Sequence, residues 1–292
     1  MSERHLSVVI AVQDAQGNLP EIIRQLSCER HPEVDFLVCH TEADPDVPRL
    51  VAGRGNIRVL ESAAGSLIPH LWRDGILAAR HPQVAVTTAH CIPDAHWLQC
   101  LLDTDLGDAA GVGGVFENAP DADAKGWAIF MLRYASYAPP QAARPVQEIA
   151  ADNAVYRRAD IIQHRDLLEK GLWEPSFHAR FRAAGAYLRL EPRLRVVHHN
   201  LYSARQFFRQ RSAHGREFGL ERAARLAPLR RVVLLAVSPI LPFVFLRKIL
   251  ANGRRNASCR PQLGRALPWL CFFLLGWGWG EARGYAESLA RR

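Results

Sequence analysis

Ser7-Val8-Val9-Ile10-Ala11-Val12 and, further along, Val84-Ala85-Val86-Thr87-Thr88 are short β-branched runs of the kind found in strands buried on both faces. Between them the pattern alternates. Asn18 to Leu26 predicts a helix, with Asn18 as N-cap and Pro20 in the first turn. Val34 to Cys39 and Asn56 to Leu60 predict two more strands, and Leu67 to Ala79 has helical spacing of apolar residues. Beyond Thr88, Pro93 to Leu102 predicts a helix and Ala110 to Phe116 a strand. Such alternation predicts an α/β fold of βαβ units around a mainly parallel sheet. Ligands of such sheets bind beyond the carboxyl ends of the strands.

The alternation weakens after residue 117. Ile149 to Tyr156 predicts a strand and Asp160 to Glu169 a helix. Pro175 to Ala184 predicts another helix, with Gly185 just past its end. Tyr187 to Leu190 and Leu194 to Val197 read as short strands, and Ser203 to Leu226 as a long basic helix.

The chain has 292 residues, 49% apolar and 23% charged, which excludes a disordered chain. The expected organisation is a domain over 1–227 and a hydrophobic, basic appendage over 228–292. Residues 1–192 carry 18 Lys and Arg against 25 Asp and Glu, whereas residues 193–292 carry 19 against 4. A basic C-terminal third on an acidic body predicts a polyanionic partner for that third. The six cysteines form no C-x-x-C pair and no zinc spacing, and read as scattered reduced thiols. The polar start, Met1 to Leu6, lacks the features of a signal peptide and predicts a chain kept on the cytoplasmic side.

Two apolar runs close the sequence, Val232 to Leu246 and Ala266 to Gly280, each 15 residues long. At 1.5 Å per residue each reaches ~22 Å, short of a ~30 Å hydrocarbon core. Trp269, Phe272, Phe273, Trp277 and Trp279 beside arginine clusters give an interfacial composition. The connecting segment Arg247 to Arg265 holds six basic residues and no acidic one. A spanning hairpin would put that charge on the far side, against the positive-inside tendency. A re-entrant or in-plane hairpin keeps it beside anionic lipid and is the expected arrangement. Such apolar runs argue against a nucleic-acid partner.

Several segments, taken in order, resemble a family 2 glycosyltransferase of the GT-A fold. They are Ser7 to Val12, the acidic turn Thr41-Glu42-Ala43-Asp44, Gly75-Ile76-Leu77-Ala78-Ala79, and Val84 to Leu98 with its Cys91-Ile92-Pro93-Asp94 continuation. Asp152-Asn153-Ala154-Val155-Tyr156-Arg157-Arg158, Trp173-Glu174-Pro175 and Val197-His198-His199 follow. Gly280-Glu281-Ala282-Arg283-Gly284-Tyr285 is similar to the tail of membrane-attached members.

The resemblance implies an inverting glycosyl transfer from a nucleotide-diphosphate sugar. The acceptor would be a lipid-linked or cell-envelope saccharide, met at the cytoplasmic face of the inner membrane. It implies Glu174 as the general base on the acceptor hydroxyl, with Asp152 and Asn153 lining the acceptor side. Glu42 and Asp44 would meet the nucleotide base and ribose. Arg209, Arg211 and Arg216 would lie over the donor diphosphate. The family holds a divalent metal, manganese or magnesium, on an Asp-x-Asp motif; here Thr88-Ala89-His90 stands in its place. Three readings stay open: a metal site rebuilt from His90 and His198, a metal-free site neutralised by arginine, or a catalytically silent GT-A-like domain that binds a nucleotide sugar or tethers a partner.

Overall fold

A computed structural model of the chain describes residues 6–54 and 56–290, so the reading of Met1 to His5 lies outside the described residues. β1 (Leu6–Ala11) leads through α1 (Leu19–Leu26) to β2 (Asp35–His40), α2 (Val47–Val51) and β3 (Ile57–Glu61). Next come α3 (Ile68–Ala78), β4 (Gln83–Thr88), β5 (Cys91–Pro93), α4 (Trp97–Asp103) and β6 (Ala109–Asn118). They are followed by α5 (Ala124–Tyr134), β7 (Arg144–Val146), β8 (Asn153–Arg157), α6 (Arg158–Ile162), α7 (Arg165–Leu168), α8 (Glu174–Ala183) and β9 (Tyr187–His198). The rest is helical: α9 (Ala204–Ala224), α10 (Pro228–Val237), α11 (Leu241–Arg255) and α12 (Leu263–Ala290).

Two compact units emerge, Met1–Ala119 with Tyr137–Leu201, and Pro120–Ser136 with Tyr202–Arg292. The expected boundary between 227 and 228 falls inside the second unit, because α9 lies along α12.

The first unit carries the sheet, in the order β3-β2-β1-β4-β8-β6-β9-β5 with β7 on β9. The block β3-β2-β1-β4 is parallel throughout. β8 runs antiparallel to both β4 and β6, and β5 and β7 run antiparallel to β9. The sheet is therefore mixed, where the sequence predicted a mainly parallel one. The chain reaches β8 at the carboxyl edge of the parallel block, where Asn153 pairs with Thr87, and runs backwards from there. The two short strands predicted over 187–197 are one strand, β9, which absorbs two register shifts against β6.

All six residues of β1 are buried. α3 crosses β1 at Gly75, where a Cβ would overlap the side chain of Val9. Trp72 of the same helix donates its indole N–H to the Thr87 carbonyl at 2.8 Å, tying α3 to the end of β4. At the opposite edge of the sheet, Arg58 clamps Asp35 through Nε and a terminal nitrogen at 2.8 and 2.7 Å. Burial pulls the Asp35 carboxyl up, and Arg58, the Arg80 amide and Ser7 more than offset that, leaving it below its ordinary value.

The second unit is helical. Ser203 caps α9 in a reciprocal box with Gln206. A Cβ on Gly215 or Gly219 of α9, or on Gly280 or Gly284 of α12, would overlap the facing backbone. The spacing Gly276, Gly280, Gly284 puts these gaps one turn apart, so the two backbones approach as small-residue helix pairs do. Glu281 is fully buried and accepts from Trp277 Nε1 at 3.0 Å and Tyr285 Oη at 2.7 Å.

The two apolar runs differ from the expected pair of short helices. α10, a single tight turn at Ser238–Ile240 and α11 continue as one helical stretch, Pro228–Arg255, of 28 residues. Pro239 and Pro242 do not break it, because each sits in the first turn of a new segment, where no amide hydrogen is needed. By length and composition this stretch is apolar enough to cross a membrane, with a mean hydropathy of 2.0 over its best window. Leu229 and Phe243 on it are 76% and 71% exposed, so its apolar face is turned outward.

Candidate active site

Register brings the ends of several strands to one edge of the first unit's sheet. Ala11 pairs with both Cys39 and Thr88, Thr87 pairs with Asn153, and Asn118 pairs with His198. The segments at this edge are the β1–α1 loop, the turn after β2, the β4–β5 turn, the start of β8 and the end of β9. It is the carboxyl edge of the parallel block, where α/β sheets bind ligands.

Asp44, in the turn after β2, is 2% exposed and accepts from the Asp14 amide at 3.1 Å. Burial raises its carboxyl above the ordinary value. Asp14 itself is held at φ 56°, a left-handed backbone that non-glycine residues rarely adopt. Glu42, two residues before Asp44, is exposed. The β4–β5 turn holds Thr88-Ala89-His90. Thr88 Oγ1 donates to Asp152 Oδ1 at 3.4 Å, and Thr87 Oγ1 donates to the Asp152 carbonyl at 2.8 Å.

Glu174 is the first residue of α8 and is half-buried. Its Oε1 accepts from the Ala151 amide at 3.2 Å, which sets it beside Asp152. The helix N-terminus favours its ionised form. Tyr137 is a shared neighbour: burial and the charges of Glu174, Glu148 and Asp152 push its phenol well above the ordinary value. Behind these lies a chain of polar groups. His178, fully buried one turn along α8, meets Glu148 through Nδ1 at 2.5 Å and Tyr156 Oη through Nε2 at 3.2 Å.

Asn153 has no exposed surface. Its Oδ1 accepts from Trp97 Nε1 at 2.7 Å, and its amide donates to the carbonyls of Val115 and Leu194 at 3.2 and 3.0 Å. The side chain expected to line the acceptor side is instead occupied in tying α4, β6 and β9 to β8.

His90 and His198 lie with ring centroids 6.3 Å apart, and both are fully buried. Nε2 of His90 is 3.0 Å from the Gln13 carbonyl and so carries the proton, leaving Nδ1 as the nitrogen a metal would need. Nδ1 of His198 faces Asn118 Oδ1 at 3.4 Å. Among the described residues no group of three or more His, Cys, Asp and Glu side chains converges as metal ligands would. Two buried imidazoles also suit magnesium poorly, since it takes oxygen ligands and keeps its waters. Among the described residues, the pair His90 and His198 therefore does not fit a magnesium ion.

No protein-family model and no curated protein matches the chain in sequence. Solved structures do match in shape. One is a mannosyltransferase from Pyrobaculum calidifontis, PcManGT, in complex with GDP-Man and Mn2+. It is 12% identical, covers 99% of this chain and 76% of that one, and superposes with a TM-score of 0.51. The fold is that of a GT-A glycosyltransferase. S. aureus TarS in complex with UDP (11% identity, 94% of this chain and 90% of that one, TM-score 0.49) and a mycobacterial protein (15%, 73% and 73%, 0.47) also align, more loosely.

In this GT-A fold the sequence reading missed two connectors. Asn18, predicted as an N-cap, makes no capping bond. Its amide reaches the carbonyls of Ala89 and His199 at 2.9 and 3.0 Å, and its Oδ1 meets His199 Nδ1 at 2.9 Å, so it locks the β4–β5 turn to the end of β9. No local pattern marks such a long-range role. The Glu148–His178–Tyr156 chain did leave a signal, since His178 stands at helical spacing from Glu174.

The three arginines read on α9 belong to the second unit and differ from one another. Arg216 is held by Glu287, through Nε and a terminal nitrogen, and by Glu217. Arg211 lies with its guanidinium carbon 4.3 Å from the Trp277 ring centre. Burial, and secondarily the like charge of Arg133, pulls Arg211 down to about 9, so it stays cationic at neutral pH. Arg209 is exposed and makes no ion pair among the described residues.

Proposed function

We propose that this chain transfers a sugar, with inversion, from a nucleotide-diphosphate donor to a lipid-linked or cell-envelope saccharide at the cytoplasmic face of a membrane. The observation that carries the reading is Glu174: a carboxylate at a helix N-terminus, at the ligand-binding edge of a GT-A sheet, beside Asp152. In this reading Glu174 takes the proton from the acceptor hydroxyl as that oxygen attacks the anomeric carbon and the nucleoside diphosphate leaves. Asp152 orients the acceptor. Asp44 and Glu42 take the ribose and base of the donor. On the sequence reading an arginine of the 209–216 segment offsets the charge that develops on the leaving diphosphate, and Arg209 makes no ion pair among the described residues. Glu148, His178 and Tyr156 hold the floor behind Glu174. The outward apolar face of Pro228–Arg255, and the absence of any acidic residue between 228 and 280, support attachment to an anionic membrane surface.

The test is turnover of nucleotide sugars by the full chain with a bacterial polar-lipid extract as acceptor. Glu174→Gln keeps the shape and removes the base, so turnover should fall ~10²- to 10⁴-fold. Donor affinity, measured by calorimetry, should hold within about twofold, because the glutamate acts on the acceptor and not on the donor. Full activity in the variant would reduce Glu174 to a helix-end acid.

A second reading is favoured by Thr88-Ala89-His90, which stands where the resemblance places two carboxylates: a GT-A domain that binds a nucleotide sugar without turning it over. Donor binding with no turnover in the wild-type chain, over a panel of donors and acceptors, would establish it.

A further inference from the structure

Within the second unit, α9, α10, α11 and α12 enclose a groove of about 550 Å³. Its walls include Phe208, Leu235, Pro242, Leu275, Trp279 and Ala282, and no charged side chain lines it. Its polar lining side chain, Ser238, turns its hydroxyl to the Leu234 carbonyl at 2.8 Å. The groove offers a ligand apolar contact and almost no hydrogen bonding. A volume of that order is room for one fatty acyl chain and not for two.

Arg211 stands one turn along α9 from Phe208, against Trp277. Its Nε is buried without a hydrogen-bond acceptor, and among the described residues no carboxylate pairs with it. A guanidinium stacked on an indole, with its donors unused, is an anion receptor. The surroundings agree in sign, since residues 228–280 hold eight basic side chains and no acidic one.

We propose that the groove takes one acyl chain of an anionic phospholipid from the bilayer, with the lipid phosphate at Arg211. The second chain stays in the membrane, because the volume accommodates only one. This deepens the membrane-attachment part of the proposed function and does not depend on glycosyl transfer. The bound lipid would fix how the second unit seats on the surface.

The test uses the full chain and vesicles of phosphatidylcholine mixed with phosphatidylglycerol. Vesicle co-sedimentation reads attachment. Native mass spectrometry after transfer to a mild detergent reads the retained lipid. The wild-type chain should pellet with the vesicles and keep one phosphatidylglycerol. Ala282→Phe fills the groove and should cut retention at least about tenfold, with co-sedimentation within about twofold. Leu235→Trp fills it from α10 and serves if the first variant misfolds. Arg211→Gln should keep a lipid but lose the preference for phosphatidylglycerol over phosphatidylcholine. A wild-type chain that pellets yet retains no lipid, or filled variants that retain it unchanged, would overturn the groove proposal alone. A wild-type chain that stays in the supernatant would overturn the attachment reading with it.

Discussion

The two units bury their backbones by different means. In the first, strands lie in a sheet, and the polar groups left at its ends find side-chain partners: Asn153 for Trp97, Asn18 for His199, Trp72 for the Thr87 carbonyl. In the second, two helices approach until backbone meets backbone, and glycine makes the room. The first unit turns its apolar side chains inward and its chemistry to one edge. The second turns Leu229, Phe243 and Trp279 outward. A unit built like the first needs exact polar pairing. A unit built like the second needs small residues at fixed spacing and an apolar surrounding for its outer face.

The largest expected effect strikes the second unit. Gly280→Leu places a side chain where the Ser212 backbone lies. Overpacking that cannot relax costs about 3 kcal/mol, roughly a hundredfold in the opening equilibrium. Hydrogen exchange should show α9 and α12 losing that much protection while β1 to β4 keep theirs. Equal loss in both units would erase the distinction between them.

The corresponding change in the first unit is Asn153→Leu. It leaves the Trp97 N–H and the carbonyls of Val115 and Leu194 without their partner in a buried place. Unsatisfied buried groups cost about 1 to 3 kcal/mol in total here, read as a shift of the urea midpoint with unchanged slope. A shift below 0.5 kcal/mol, within the usual range of surface changes, would mean that water replaces the amide.

The same contrast explains what the sequence disclosed. β1, β2 and β4 were legible because a strand buried on both faces shows an uninterrupted apolar run. α8 was legible from Pro175 and from Gly185, which adopts φ 80°. The direction of β8 was not, since an antiparallel entry is set by the loop before it and leaves no mark in its own residues. At the candidate site, Glu174 is legible as an acid beside a helix-opening proline and Asp44 as an acid in the turn after a strand. Asn18 is not, because its partners lie 71 and 181 residues away. In the second unit, Pro239 and Pro242 interrupt the apolar run Val232 to Leu246. In the structure those prolines open new helical segments, and the glycines of α9 and α12 are the contact surface.

Two carboxylates of the first unit should respond to pH in opposite senses. Burial raises Asp44, so the folded chain holds that proton more tightly than the unfolded one. Its contribution is fully present below the ordinary carboxylate value and is lost as pH rises through the raised one. Asp44→Asn should therefore stabilise the chain at neutral pH, while donor affinity falls if the residue meets the ribose. Glu148 is pulled up by burial but more strongly down by His178 and Arg182, and ends below its ordinary value of 4.5. Its contribution is present above that value and is lost as pH falls through the lowered one. Glu148→Gln should flatten the acid limb of the stability profile and leave the neutral plateau of the Asp44→Asn variant in place. Thermal melts between pH 3 and 8 resolve the two, and limbs of the same sign would refute the assignment.

The smallest expected effect concerns Arg216. Its guanidinium is roughly one-third exposed, as is Glu287, so the ion pair is screened by water and stabilises by at most about 1 kcal/mol. Arg216→Gln should lower the melting temperature slightly and leave donor affinity and turnover within about twofold. Arg209→Gln is the control, because its side chain makes no ion pair among the described residues of the second unit. If Arg209 meets the leaving diphosphate, that change lowers turnover about tenfold or more and leaves the melting temperature unmoved. The pair of variants thus tests whether α9 serves the helical packing and the transfer reaction through separate residues. Should Arg216→Gln depress turnover as deeply as Arg209→Gln, the Glu287 pair must open in the working enzyme, and the division of labour along this helix would have to be redrawn.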